Sequence, residues 1–247
     1  MAAQASFAEA AREGRRAALV TAISGPHAGD RLLVRADGGQ EGSLGDPDLD
    51  VQAVADANEL MWEERSERRG DLFIDITAPP PRLLIFGAVE YGNHLAHLAR
   101  VLGWRPYVID PRSRFATRER FPDALEIVVA WPGPALEQLG GIDRATYIAV
   151  LSNDTKLDDE VLSLALRAEP AYIGAMGSTH AQAERRDRLV ALGVAEEDLG
   201  RISAPVGLDL GALSAAETAL SIMGELIAVR SGRSGERLSQ RSDAAIR

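Results

Sequence analysis

The stretch LLIFGAVEYGNHLAHLARVLGWRPYVID, Leu83 to Asp110, decides the fold. An apolar run ends at Gly87, a pattern of helical period follows to Leu102 and Gly103, and a second apolar run ends at Asp110. A strand, a tight glycine turn, a helix and a second strand make the first βαβ unit of a doubly wound sheet. In a dinucleotide-binding turn the first glycine permits the sharp turn, the second admits the pyrophosphate, and the third lets helix and strand pack closely. Gly87 and Gly92 occupy the first and third positions, but Val89 stands at the second, giving G-x-V-x-x-G. A β-branched side chain there projects where phosphate oxygens would sit. Glu90 adds negative charge at the start of the helix, which suits the helix dipole but repels a phosphate. Asp110 lies about 20 residues beyond the turn, where a ribose-binding acid is expected. Ordinary NAD(P) binding, another ligand in the same crevice, and no ligand at all stay open.

The same alternation continues downstream. Leu125–Ala130, Ala145–Ser152 and Ala171–Ser178 read as strands, and residues 158–168, 179–193 and 215–230 as helices. Apolar strands alternating with amphipathic helices predict an α/β, Rossmann-like parallel sheet with helices on both faces, over residues 83–230. Upstream, residues 1–78 read as a small α+β domain. Arg16–Ser24, Asp30–Asp37 and Asp71–Thr77 are its expected strands, residues 38–48 a loop, and a helix runs from about residue 50 to a C-cap at Gly70. The first 16 residues read as a short helix or a frayed tail. Ala78–Pro81 carries three consecutive prolines, which cannot continue a ladder, so 79–82 is expected to be a stiff linker. Residues 231–247 are expected to form a loose tail.

Composition narrows the function. The 247 residues are 46% hydrophobic and 26% charged, ordinary globular values. No apolar run approaches the roughly 20 residues that span a bilayer, and the N-terminus lacks a secretory pattern, so a cytoplasmic location and no membrane partner are expected. A formal charge of −10 argues against a nucleic-acid partner. Cysteine is absent, which removes disulfides, thiolate metal sites and thiol nucleophiles. Lys156 is the sole lysine, so positive charge is almost entirely arginine. His94 and His97 are three apart on one helix, but no third ligand stands nearby, so no metal site is expected. No nucleophile, base and orienting acid can be assembled from these spacings, and no catalytic residue is nominated.

Three further stretches sharpen the reading: AVLSNDTKLDDEVLSLAL (Ala149–Leu166), AYIGAMGSTHAQAERRDRLVALGV (Ala171–Val194) and RISAPVGLDLGALSAAETALSIMGELIA (Arg201–Ala228). With the Leu83–Asp110 unit they resemble the xanthine dehydrogenase accessory and carbon monoxide dehydrogenase maturation family, of XdhC/CoxI type. The specific elements are the run P-x-G-L-D-x-G-A and the Gly-x-x-Gly-Ser turn that leads into an arginine-bearing helix. The resemblance implies a maturation factor rather than a catalyst. Such a factor holds molybdenum cofactor (molybdopterin) and delivers it to a molybdenum hydroxylase apoenzyme; NAD(P) is the less favoured ligand. The resemblance is to a divergent member: where the family commonly carries Gly-Gly-Cys this sequence has GDPDLD, and Asn153, Thr155 and Ser203 stand where histidines are common. The rivals are an NAD(P)-dependent oxidoreductase using the Gly87 turn, and a non-binding scaffold that mediates protein contact or homodimerisation.

Candidate binding residues follow from the strand ends and from the resemblance. Gly174, Gly177 and Ser178 precede a helix N-terminus that could bind a pterin phosphate, although Ser178 also reads as an ordinary N-cap. Arg185, or its neighbour Arg186, could clamp a phosphate if it faced the crevice. Asp154, Lys156 and Asp158 open another helix at a strand end, where acids also offset the helix dipole. Pro205, Gly207, Asp209 and Gly211 form a kinked loop in which Asp209 could orient a ligand N–H or accept from its own backbone. Ser214 and Glu217 read as a capping box, and Glu225, in an apolar helix, calls for a partner.

Overall fold

The computed structural model describes residues 2–240. The chain divides into two compact units, Met1–Pro80 and Pro81–Arg247. The first holds helix α1 (Ala2–Arg12), strands β1 (Ala17–Ala22), β2 (Arg31–Arg35) and β3 (Gln40–Ser43), helix α2 (Pro47–Glu63), and strands β4 (Glu67–Arg69) and β5 (Leu72–Thr77). Its sheet is antiparallel, in the order β3-β2-β1-β5-β4. β1 is buried on both faces because its side chains alternate between two cores. Ala18, Val20 and Ala22 join Leu60 and Met61 of α2, while Ala17 and Leu19 join Ala3 and Ala10 of α1.

Two expectations for this unit need correction. Residues 38–48 are not wholly a loop, since β3 lies within them. α2 ends at Glu63, not at Gly70: Glu64 takes the left-handed conformation (φ 53°) and its N–H bonds Leu60 O. Gly70 instead turns the β4–β5 hairpin. Of the short helix or frayed tail expected at the N-terminus, the structure shows the helix, α1. The short, polar strands β3 and β4 are held by ladder bonds to a neighbour rather than by an apolar pattern of their own, so periodicity does not reveal them.

The second unit runs β6 (Arg82–Phe86), α3 (Glu90–Val101), β7 (Arg105–Ile109), β8 (Glu126–Val128), α4 (Pro132–Gln138), β9 (Thr146–Val150), α5 (Thr155–Leu166), β10 (Tyr172–Ala175), α6 (Thr179–Ala191), β11 (Ile202–Ser203) and α7 (Ala215–Arg230). Residue 82, expected in the linker, already belongs to β6. The sheet is parallel throughout, in the order β11-β10-β9-β6-β7-β8. The short helix α4 and the edge strand β11 were not foreseen. Side-chain parity again assigns the two faces: Leu83, Ile85, Tyr147 and Ala149 pack with Leu95 of α3 and Ile222 of α7. Leu84, Phe86, Ile148 and Val150 pack with Leu136 of α4, Val161 of α5 and Leu189 of α6. Each fully buried Val, Leu, Ile or Phe side chain among these contributes about 1.5–3 kcal/mol.

The chain runs outward from β6 through β7 to β8, then returns to the other side of β6 and proceeds through β9 to β11. That reversal, between β6 and β9, makes a topological switch point, and the loops after these two strands border a crevice. No helix among the described residues is long and apolar enough to cross a membrane. Of the expected tail, residues 231–240 include a short 3-10 turn at Leu238–Gln240, and 241–247 lie outside the described residues.

Candidate functional site

Gly87 sits at the switch point with φ +107°, and a Cβ on it would stand 2.8 Å from Ser152 N and 2.9 Å from Ser152 Cβ. The turn after β6 thus lies directly on the loop after β9, and only glycine fits between them. Gly92 serves helix–strand contact, since a Cβ there would meet Gly87 O at 3.1 Å and Ile85 Cγ2 at 3.2 Å. Val89 caps α3 in extended conformation, without a side-chain hydrogen bond, and packs on the core beside α3 and α7.

The backbone amides of this turn have partners within the protein. Gly87 N–H donates to Ile109 O (2.9 Å) and Val89 N–H to Gly87 O (2.9 Å). Ala88 N–H donates to Asp110 Oδ2 at 2.8 Å. Asp110 is fully buried, and its oxygens also accept from Arg112 N (2.9 Å), Arg112 Nε (2.9 Å) and Arg112 Nη2 (2.7 Å). Burial alone would raise the Asp110 pKa, but the guanidinium and the two amides outweigh it and hold the carboxyl below its ordinary value. An acid at this position in a nucleotide-binding sheet offers its oxygens to a ribose; here Asp110 spends them on Ala88 and Arg112.

On the other side of the switch point, Asp154 caps α5 by accepting from Lys156 N (3.0 Å) and Leu157 N (3.4 Å), while the Lys156 side chain is exposed. Asp158, one turn further, is buried; Ser152 Oγ donates to its Oδ1 at 2.5 Å and Arg185 Nη2 to its Oδ2 at 3.2 Å. Its pKa is raised, because desolvation exceeds the opposing pull of Ser152 and Arg185. Arg185 is itself buried, and also donates to Met176 O (2.9 Å) and to Gln182. It therefore ties α6 to α5 and to the end of β10. Arg186 pairs with Glu196 (2.7 Å) at the surface, and Arg188 with Asp159 (2.7 Å).

Ser178 is an N-cap in the structure, accepting from Ala181 N at 3.3 Å. Gly174 is demanded by packing: a Cβ would stand 2.6 Å from both the Tyr172 ring and Val206 Cγ2. Gly177 (φ +132°) turns the chain between β10 and α6. Pro205 follows a cis peptide bond. Glu225 finds its partners here, accepting from Tyr172 Oη (2.6 Å) and from Gly207 N–H (2.5 Å), which pins the 204–211 loop to α7. Burial, reinforced by Glu225, pushes the Tyr172 hydroxyl pKa well up. Asp209 and Gly211 are exposed, and no hydrogen bond to the Asp209 carboxylate is made among the described residues. Ser214 and Glu217 form a complete capping box.

The carboxyl edge therefore brings together Gly87, Val89, Asp110, Asp154, Asp158, Gly177 and Arg185, and leaves Asp209, Gly211 and Lys156 exposed. Sequence reasoning missed Ser152, Tyr172 and Arg112. The Asp-Pro-Arg run at the end of β7 was the available signal for the last of these. His94 and His97 do not share a partner: His94 lies 3.9 Å from Glu90, and His97 bonds Asp123 at 2.9 Å.

A six-stranded sheet of this order, with a glycine turn at its switch point, defines a Rossmann-type unit. The profile of the XdhC Rossmann domain matches residues 83–226, and that of the XdhC and CoxI family matches residues 10–70. The chain belongs to the XdhC family. It is 30% identical over 152 residues to the molybdenum cofactor insertion chaperone PaoD of Escherichia coli (strain K12), covering 62% of this chain and 41% of PaoD. It is 27% identical over 184 residues to a probable xanthine dehydrogenase subunit from Bacillus subtilis (strain 168), covering 74% of this chain and 53% of that protein. The chain thus spans about half the length of the curated relatives it matches. A crystal structure of a xanthine dehydrogenase from Bacillus halodurans shares the fold, with a TM-score of 0.62 over 96% of this chain and 64% of that one, at 24% identity.

Proposed function

We propose that the protein is a maturation factor for a molybdenum hydroxylase, holding molybdenum cofactor as cargo at the carboxyl edge of the Rossmann-type unit and passing it to the apoenzyme. The similarity to an insertion chaperone carries this reading, because it extends over 62% of the chain. The site geometry agrees with cargo binding better than with hydride transfer. Three successive amides of the glycine turn already have partners, Val89 fills the position of the second glycine, and Asp110 has no oxygen to offer a ribose. α3 begins without a side-chain cap, whereas α5, α6 and α7 are capped by Asp154, Ser178 and Ser214. The first-turn N–H groups of α3 are thus what this turn offers to a phosphate. With no cysteine in the chain, any sulfur on the cargo is held without a protein thiolate.

The test is to purify the full chain from a host that makes molybdenum cofactor, then measure bound molybdenum and oxidised pterin fluorescence. Both are expected with the folded protein and should transfer to an apo-hydroxylase; folded protein with neither would end the cargo reading. NADH at 100 times its dissociation constant would stabilise a true binder by about 2.7 kcal/mol. No such shift is expected here. Val89→Gly is also expected to create no nicotinamide binding, because Asp110 still occupies Ala88 N–H; a gained thermal shift would show that Val89 alone closes the crevice.

A further inference from the structure

The loop after β7 is strongly basic in an acidic chain. Residues 111–121 contain Arg112, Arg114, Arg118 and Arg120 against Glu119 alone, a formal +3 within a chain of net −10. Three of these guanidiniums converge on one ring. Arg112, Arg114 and Arg120 lie 4.9, 4.5 and 5.6 Å from the Phe115 centroid. Ring contact favours each cation, but three like charges around one side chain repel one another. Arg112 is neutralised by Asp110. Arg114 and Arg120 form no ion pair among the described residues; Arg120 donates to Phe115 O (2.9 Å), and the contact Arg114 makes is with the ring. Elsewhere Arg65, Arg69, Arg144 and Arg186 meet carboxylates, while Arg31, Arg68 and Arg105 bond neutral groups.

The cluster stands at the crevice. Phe115 packs against the same core as Val89 and Tyr91 of the glycine turn, and Arg112 shares Asp110 with Ala88 N–H. This is the β7 side of the switch point, where an open sheet receives the ribose end of a nucleotide. A ribose hydroxyl there needs an acceptor, and Asp110 has none to spare. What remains on this lip is mainly arginine donors, with Glu119 the one carboxylate on the loop, and that balance favours an anion.

We propose that Arg114 and Arg120, gathered on Phe115, form the site that takes the phosphate end of a phosphorylated pterin or nucleotide. This deepens the cargo reading and rests on it only for the identity of the ligand. The shared chemistry is a phosphate ester held by two charge-assisted, salt-sensitive contacts.

The test titrates the full chain at low salt with inorganic pyrophosphate and with ADP, by calorimetry, and measures pterin carried from the cofactor-producing host. Arg114→Glu, at an exposed residue, and the double variant Arg114→Ala/Arg120→Ala are compared with the parent after circular dichroism confirms folding. Saturable pyrophosphate binding, weakened about tenfold or more in both variants and by added salt, supports the site. ADP binding tighter than pyrophosphate points to a nucleotide as the source; equal binding, with pterin lost from the double variant, points to the pterin phosphate. No pyrophosphate binding by the parent, or equal binding by the variants, overturns the inference, as does equal ADP and pyrophosphate binding in a pterin-carrying parent whose double variant carries as much pterin. Pyrophosphate binding that depends on the arginines, in a parent that carries no pterin, leaves the site standing while the cargo reading fails.

Discussion

Asp110 and Asp158 are both buried carboxylates beside the same switch point, and each meets an arginine, yet their proton affinities shift in opposite directions. The difference lies in what donates to them. Asp110 receives two backbone N–H groups and a two-pronged guanidinium from Arg112. Asp158 receives one hydroxyl and one guanidinium contact at 3.2 Å. Burial penalises the charge in both cases, and only Asp110 collects enough fixed donors to offset it. The β7 side of the crevice is therefore locked as an ion pair with its own turn, while the β9 side holds an acid whose pKa burial raises.

The largest test of this contrast is the pair Asp110→Asn and Asp158→Asn. Asp110→Asn is expected to cost about 3 kcal/mol, because it removes a two-pronged ion pair from a fully buried position. Asp158→Asn is expected to cost about 1 kcal/mol, since Arg185 keeps Met176 O and Gln182 as acceptors. Urea midpoints at constant slope measure both, and equal losses would break the contrast. Acid titration of stability comes next. The Asp110 contribution is complete above the unfolded value of 3.8 and is lost as pH falls through its lowered folded value, so Asp110→Asn should flatten the acid limb. Asp158 acts with the opposite sign: its raised folded value makes it cost stability as pH climbs above 3.8, so Asp158→Asn should make the rise in stability with pH steeper. The smallest effect concerns an intermediate case. Glu225 accepts one backbone N–H and one hydroxyl, so Tyr172→Phe should cost about 1 kcal/mol and leave the Gly207 bond in place. Hydrogen exchange at Gly207 checks this; rapid exchange there would mean that Tyr172, not Glu225 alone, holds the loop.

The sequence made some of this legible and not the rest. Strands β6, β7, β9 and β10 announce themselves as apolar runs because helices cover both sides of the sheet. The caps at Asp154, Ser178 and Ser214 are local chemistry and could be read directly. By contrast β11, two residues long, exists through pairing with β10, and α4 opens within a Pro-Gly-Pro stretch that looks like loop. The fate of Asp110 was only partly legible. Its position matches a ligand-binding acid, but its oxygens are taken by Arg112, two residues on, which the Asp-Pro-Arg run signals, and by Ala88 N–H of a turn some 20 residues back, which it does not. Likewise the spacing that suggested Arg185 as a phosphate clamp says nothing of Asp158 waiting on the neighbouring helix.

Lys156, exposed in the first turn of α5, is the protein's single side-chain amine. Chemistry directed at amines can therefore mark this protein at one internal place, the first turn of the helix that follows β9. A photoreactive group attached there would report, by mass spectrometry, which surface of any partner protein comes within reach.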